Sequence, residues 1–80
     1  MDPLRTLDTL KPGERGKIVT IGGSGMLRRR LLDMGLTPGT HVKVIKRAPL
    51  GDPIELFLRG YDLSIRLMEA AQITVEDIAS

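Results

Sequence analysis

A chain of 80 residues with a net charge of +2 has the length of one domain and is too short for two. It contains no cysteine, so a disulfide framework is excluded. No stretch approaches the roughly 18 consecutive apolar residues of a membrane span, and the charged N-terminus lacks the apolar stretch of a signal peptide. We therefore expect residues 1–80 to form one soluble, cytoplasmic domain with a frayed tail at 77–80.

Charge is unevenly placed along the chain. The range 48–80 carries two basic residues and six acids, whereas the range 15–47 carries eight basic residues and one acid, Asp33. Such asymmetry can orient a domain against a charged partner, although a solvated surface has the same composition. The basic residues of the range 15–47 are Arg15, Lys17, Arg28, Arg29, Arg30, Lys43, Lys46 and Arg47.

The N-terminal half predicts a strand followed by a helix. The β-branched run 17–21 is typical of a strand, and the glycine-rich segment 22–25 ends it. The segment 26–34 has the apolar spacing of a helix, for which Ser24 is a suitable N-cap. Gly35 follows where helices commonly end in the left-handed conformation, so we expect the helix to stop there.

The C-terminal half predicts strands joined by turns. The alternating segment 41–47 is expected to be a half-buried strand, and a loop bounded by prolines, 49–53, follows it. The remaining predicted elements are a strand at 54–59, a strand at 63–65, a helical turn at 67–71 and a closing strand at 73–75. Small all-β chains avoid open edges by curling into barrels. The pattern therefore predicts a mainly β fold: a small, partly open SH3-like barrel of about five strands with one inserted α-helix and a short helical turn near the C-terminus.

The sequence contains no catalytic constellation. It has a single histidine and neither a nucleophile-elbow nor a Walker A motif. Its carboxylates are scattered over different turns and strands, so nothing pairs two of them for acid/base chemistry. We expect a binding domain and not an enzyme, with no catalytic residue, no cofactor and no assigned metal ligand.

Two segments have weak features of ligand sites. The glycine-rich segment 22–25 follows a strand and opens a helix, as in phosphate loops, but a flexible turn explains it equally and the third glycine of a dinucleotide fingerprint falls at Arg28. His41 is the one soft nitrogen ligand, and a metal site would need it to meet a carboxylate such as Asp52 or Glu55. A solvent-facing histidine at the start of a strand is the simpler interpretation.

The three consecutive arginines suggest nucleic acid, but their geometry opposes it. Successive helical residues point about 100° apart, so Arg28, Arg29 and Arg30 do not form one flat patch. Single-stranded binders of barrel type also need aromatic platforms, and this chain has only Phe57 and Tyr61. The same shortage argues against a groove for proline-rich peptides.

Two leucines are candidate anchors for a protein partner. Leu32 lies off the apolar stripe of the helix, so it either packs under a neighbouring loop or is exposed between arginines. Leu50, at the tip of a stiff loop, is likewise either packed against the protein or exposed. A stiff loop would lose little conformational entropy on docking. The candidate partner-binding residues are Arg28, Arg29, Leu32, Pro49, Leu50, Asp52 and Pro53.

The run 28–75 resembles the ferrous iron transport protein A (FeoA) family, and the segment 7–16 is similar to the opening of that family. The residues that carry the resemblance are Leu31, Met34-Gly35-Leu36, Pro38-Gly39, the loop Ala48-Pro49-Leu50-Gly51-Asp52-Pro53, Gly60, Leu63-Ser64-Ile65-Arg66 and Glu69-Ala70. The combined pattern covers most of the chain.

The resemblance implies an SH3-like barrel and a small cytosolic accessory of bacterial ferrous iron uptake. Its expected partner is FeoB, a membrane permease with a cytosolic GTP-binding domain that the chain would modulate. A similar domain ends some metal-dependent repressors, but no DNA-binding segment precedes this one, so we expect it to be free-standing. The alternatives are a domain that binds or senses a transition metal ion, which the family label suggests, and a binder of nucleic acid or an anionic surface.

Overall fold

The computed structural model describes residues 4–78, which form one antiparallel sheet with two helices. The strands are β1 (Leu4–Thr6), β2 (Arg15–Ile21), β3 (His41–Arg47), β4 (Ile54–Leu58), β5 (Tyr61–Ile65) and β6 (Ile73–Asp77), and the helices are α1 (Gly25–Asp33) and α2 (Leu67–Ala70). The six strands are ordered β1-β6-β2-β3-β4-β5. The predicted fold class, a mainly β SH3-like domain, is confirmed. Neither helix within residues 4–78 has the length and apolar character of a membrane span.

Near both termini, described residues form strand pairs that the sequence pattern does not predict. β1 was not expected; it pairs with β6, where Leu4 lies opposite Glu76. β6 continues two residues beyond its predicted end, to Asp77, and the N–H of Ile78 donates to the carbonyl of Arg15 at 3.3 Å. The tail expected to fray, 77–80, therefore begins inside a strand, and its last two residues lie outside the described residues.

Alternation along the strands places the core on one face of the sheet. Leu56, Leu58 and Ile65 are buried as predicted, and Leu63 is partly buried beside them. Leu31 of α1 joins the same core, and α2 contributes to it as well, so both helices cover this inner face. The buried apolar residues are Leu7, Leu10, Ile18, Ile21, Leu31, Leu36, Val42, Val44, Ile54, Leu56, Leu58, Ile65, Ala70, Ile73 and Val75.

Two β-bulges bend the sheet around this core. In β2 the register with β6 shifts between Ile18 and Thr20, and in β3 the register with β4 shifts between Val44 and Lys46. A bulge bends its strand and increases the local twist, which curves the sheet toward the helices. Sequence alternation does not predict the bulges, because a bulge is defined by pairing with a partner strand elsewhere in the sequence.

Gly35 ends α1 as the sequence predicts. Its φ is 96°, and its N–H donates to the carbonyl of Leu32 at 3.0 Å. The N–H of Leu36 donates to the carbonyl of Leu31 at 3.1 Å, which completes a Schellman motif. Leu31 and Leu36 are both fully buried, so the end of the helix is tied to the core.

The hairpin between β4 and β5 holds the same end of α1. Arg59 and Gly60 form its two-residue turn, with φ of 49° and 85°, as expected for a type I′ turn. An amino group of the Arg59 guanidinium donates to the hydroxyls of Thr37 and Thr40 at 2.8 Å each. The hydroxyl of Tyr61 donates to the carbonyl of Met34. Residues of the hairpin thus fix the position of α1 against the sheet.

One carboxyl in the turn before β2 gives a testable pH effect. The N–H of Lys11 donates to Glu14 Oε1 at 2.6 Å and holds the pKa of that carboxyl below its ordinary value; Arg5, 3.6 Å from the same oxygen, adds to the effect. A lowered folded-state pKa stabilises the folded protein above the unfolded pKa, and this contribution is lost as pH falls through the folded pKa.

We expect an NMR titration of the side-chain carboxyl carbon of Glu14 to give a midpoint below that of a glutamate in a model peptide. Arg5→Gln should leave most of the shift, because the N–H of Lys11 is its largest cause. A midpoint at the ordinary value in the unmodified chain would contradict the hydrogen bond.

Candidate partner-binding surface

The predicted loop is held against the start of α2. Asp52 Oδ1 accepts the N–H of Leu67 at 3.0 Å, so this carboxylate supplies an acceptor that the first turn of the helix lacks. Within the loop, the N–H of Ala48 donates to the carbonyl of Pro53 at 3.0 Å, and the N–H of Gly51 donates back to Ala48 at 2.7 Å. The loop is therefore a closed turn with a fixed position.

A buried carboxylate joins α2 to α1. The side chain of Glu69 is 6% exposed, and its Oε2 lies 3.0 Å from Arg30 Nη1. Its Oε1 accepts the N–H of Arg66 at 2.9 Å, which satisfies one free donor at the start of α2. We call the surface formed by α1, α2 and the loop 48–53 the helical face. A groove of about 290 Å³ runs through it and is lined by Arg30, Pro53, Ser64, Ile65, Arg66 and Glu69.

The helical face exposes large apolar side chains. Leu50 is 96% exposed at the tip of the loop, Met26 is 87% exposed at the start of α1, and Met68 is 71% exposed on α2. Exposed arginines, Arg29 and Arg30 among them, occupy the same elements. Methionine and arginine are enriched in protein interfaces. This composition suits the binding of a protein partner.

The structure separates the predicted site residues into two groups. Pro49, Leu50, Asp52 and Pro53 form the exposed loop of the helical face, and Arg29 is exposed on α1. The other two predicted residues, Arg28 and Leu32, contact β2 and the core, respectively. Asp52 has a structural role through the hydrogen bond described above, so it is a weaker candidate for direct contact than its neighbours.

Arg28 and Leu32 lie on the flank of α1 away from the loop. Arg28 Nε donates to the carbonyl of Ile21 at 3.2 Å, at the end of β2. Leu32 is partly buried and packs against the core. Arg30 is about 200° around the helix from Arg28 and pairs with Glu69 instead. The sequence gives no signal for this pairing, since it depends on where α2 packs.

The glycine-rich segment is a structural turn. The N–H of Gly22 donates to the carbonyl of Gln72 at 2.7 Å, so it is already used within the chain. Gly23 has a φ of 93°, a conformation that side chains with a Cβ rarely adopt. A Cβ at position 22 would lie 3.3 Å from the carbonyl oxygen of Gln72, so Gly22 and Gly23 both have structural roles that need no phosphate ligand.

The residues considered for a metal site do not meet. His41 begins β3 and lies opposite Lys17 of β2, whereas Glu55 lies opposite Lys46, about 15 Å further along β3. Asp52 is bonded to the N-terminus of α2. Within residues 4–78 no group of three or more His, Cys, Asp or Glu side chains could hold a metal ion. The three residues that the sequence suggested for a metal site therefore lie apart in the structure.

Known proteins resemble this chain along most of its length. Residues 5–77 match the FeoA domain. A Porphyromonas gingivalis protein named "Fe(2+) transport protein A/Fe(2+) transporter FeoB fusion protein" is 39% identical over 74 residues, which are 92% of this chain and 9% of that protein. The chain thus spans about a tenth of the length of this curated relative.

Two solved structures have the same fold at substantial identity. The FeoA-like protein from Clostridium acetobutylicum is 38% identical with a TM-score of 0.90, and the alignment covers 100% of this chain and 93% of that one. FeoA from Chlorobium tepidum is 43% identical with a TM-score of 0.87, covering 94% and 71%. The domain match and these identities lead to one conclusion: the chain belongs to the FeoA domain family.

Proposed function

We propose that this chain is a cytosolic accessory of ferrous iron uptake that binds the cytosolic part of a FeoB-type GTPase permease and modulates it. The Porphyromonas gingivalis relative carries its FeoA-like segment and FeoB in one chain. Covalent linkage keeps two modules at a high effective concentration, which is useful where they act by contact. In this chain the proposed contact surface is the helical face, and its action is binding without catalysis.

The observation that carries this proposal is the state of Leu50. A leucine that is 96% exposed contributes nothing to the core, yet the loop that carries it is closed by its own hydrogen bonds and tied to α2 through Asp52. A fixed loop loses little conformational entropy on docking, and an apolar side chain at its tip can fill a pocket of a partner. Arg29, exposed on α1, adds positive charge to the helical face, which favours an acidic partner surface.

The test is binding of the cytosolic part of the FeoB protein from the same organism, measured by calorimetry. We expect Leu50→Glu to weaken this binding by about tenfold, because the variant loses an apolar anchor and would have to bury a charge. The free energy of unfolding should stay within about 0.5 kcal/mol of the original, because the site is exposed.

Thr20→Glu is the matched control. Thr20 is exposed on β2, so this variant gains the same single charge at a position outside the helical face. It should bind the permease fragment as the original chain does. If Leu50→Glu binds as tightly as the original chain, the loop is not part of the interface. If the original chain does not bind the permease fragment, the proposed partner is wrong.

A further inference from the structure

A second groove lies on the face of the sheet that the helices do not cover. Arg15 of β2 is opposite Lys43 of β3, and Lys43 is opposite Phe57 of β4. These three residues alternate with buried ones, so their side chains point away from the core. They line a cavity of about 420 Å³ together with His41, Arg59 and Ile78. We call this cavity the basic groove.

The lining of the basic groove is cationic. Among residues 4–78, the lining contains two arginines, a lysine and the single histidine of the chain, and no carboxylate. Two acids on neighbouring strands, Asp62 opposite Phe57 on β5 and Glu76 opposite Lys17 on β6, do not line the groove. Clustered charges of one sign on a concave surface attract the opposite charge over several ångströms. The groove is therefore complementary to an anionic ligand.

An apolar element lies beside these charges. Phe57 is 42% exposed, although β4 is paired with a strand on each side, and Ile78, which also lines the groove, is partly buried. An exposed phenyl ring in a central strand gives a ligand an apolar surface to pack against. A ligand that uses the whole groove must present both negative charge and one large apolar side chain.

We propose that the basic groove binds an acidic peptide segment of a partner protein, in which carboxylates flank one large apolar side chain. Carboxylates of the segment pair with Lys43 and the neighbouring cations, and the apolar side chain packs on Phe57. A single-stranded nucleic acid fits less well, because successive bases need successive aromatic platforms and the groove offers one ring. This site is separate from the helical face, so the domain can hold two ligands at once.

The probe is a short fluorescein-labelled peptide in which one Phe is flanked on both sides by Glu, titrated with the protein and followed by fluorescence anisotropy. We expect saturable binding that weakens with added salt, since the charges are exposed. A peptide with Gln in place of Glu should bind much more weakly. Lys43→Glu should reduce affinity for the Glu peptide by about tenfold, and Phe57→Ala should reduce it as well.

Lys11→Glu is the matched control for Lys43→Glu, because it makes the same charge change at an exposed turn outside the groove. It should bind the peptide like the original chain. Circular dichroism checks that each variant is folded. Binding that is absent at low salt, equal for the Gln peptide, or unchanged by Lys43→Glu overturns the proposal.

Two further comparisons complete the test. Stronger binding to vesicles with anionic headgroups, or to a single-stranded oligonucleotide, would also overturn the assignment to a peptide. Lys43→Glu should still bind the permease fragment, and Leu50→Glu should still bind the peptide. A negative result for one surface therefore does not change the interpretation of the binding measured at the other surface.

Discussion

Gly35→Ala is expected to lower the free energy of unfolding by about 2–3 kcal/mol, as measured by urea denaturation. The φ of 96° at this position costs about 1 kcal/mol for a residue with a Cβ. A Cβ here would also lie 2.6 Å from Tyr61 Oη, the hydroxyl that donates to the carbonyl of Met34. The tyrosine must move, so the variant loses a contact between β5 and α1 in addition to its backbone strain.

Gly60→Ala separates these two causes. Gly60 has a similar φ of 85°, but a Cβ there would meet nothing within 4 Å, so only the backbone cost of about 1 kcal/mol is expected. In a Tyr61→Phe background, Gly35→Ala should also cost only about 1 kcal/mol, because the obstructing oxygen is gone. If Gly35→Ala and Gly60→Ala are equally destabilising in the original chain, the contact with Tyr61 is unimportant.

Glu69→Ala is expected to lower the free energy of unfolding by about 2 kcal/mol. It removes the acceptor of the Arg66 N–H and the partner of Arg30, and it leaves a space where a buried side chain was. Glu69→Gln keeps an oxygen for the Arg66 N–H and loses only the charge, so about half the effect is expected. Arg30 is 66% exposed, and solvent screening limits the share of the ion pair itself.

Lys46→Ala is the control for an ordinary surface ion pair. Lys46 Nζ lies 3.9 Å from Glu55 Oε1, and its side chain is 72% exposed, so its loss should cost at most about 0.5 kcal/mol. A Glu69→Ala variant no less stable than Lys46→Ala would show that the burial of this carboxylate is unimportant. If α2 shapes the helical face, Glu69→Ala should also weaken binding of the permease fragment, whereas Lys46→Ala should not.

These expectations connect the stability of the fold to its proposed binding role. Gly35 and Tyr61 fix the C-terminal end of α1. Glu69 of α2 pairs with Arg30 of α1 and so fixes the two helices against each other. Asp52 then fixes the loop against α2. The helical face is thus assembled by a series of hydrogen bonds between elements that are distant in sequence. Its exposed apolar side chains, Leu50, Met26 and Met68, are not part of the core.

Local pattern determined the elements and the core of this protein. Alternation placed Leu56, Leu58 and Ile65 inside, helical spacing identified α1, and Gly35 marked its end, all as the structure confirms. Each of these inferences uses residues within a few positions of one another, where periodicity and backbone preference act directly. The resemblance to FeoA likewise rested on a continuous run and is confirmed by the domain match over residues 5–77.

Tertiary structure alone decided which side chains share a surface. The pairing of β1 with β6, the pairing of Arg30 with Glu69, and the partial burial of Leu32 all join residues from different elements. The basic residues of 15–47 are dispersed over the structure: Arg15 and Lys43 line the basic groove, Arg30 pairs with Glu69, and Arg47 donates to the carbonyls of Asp8 and Leu10. The physical reason is that the local period of a segment fixes which of its faces is buried, but not which distant strand or helix that segment meets.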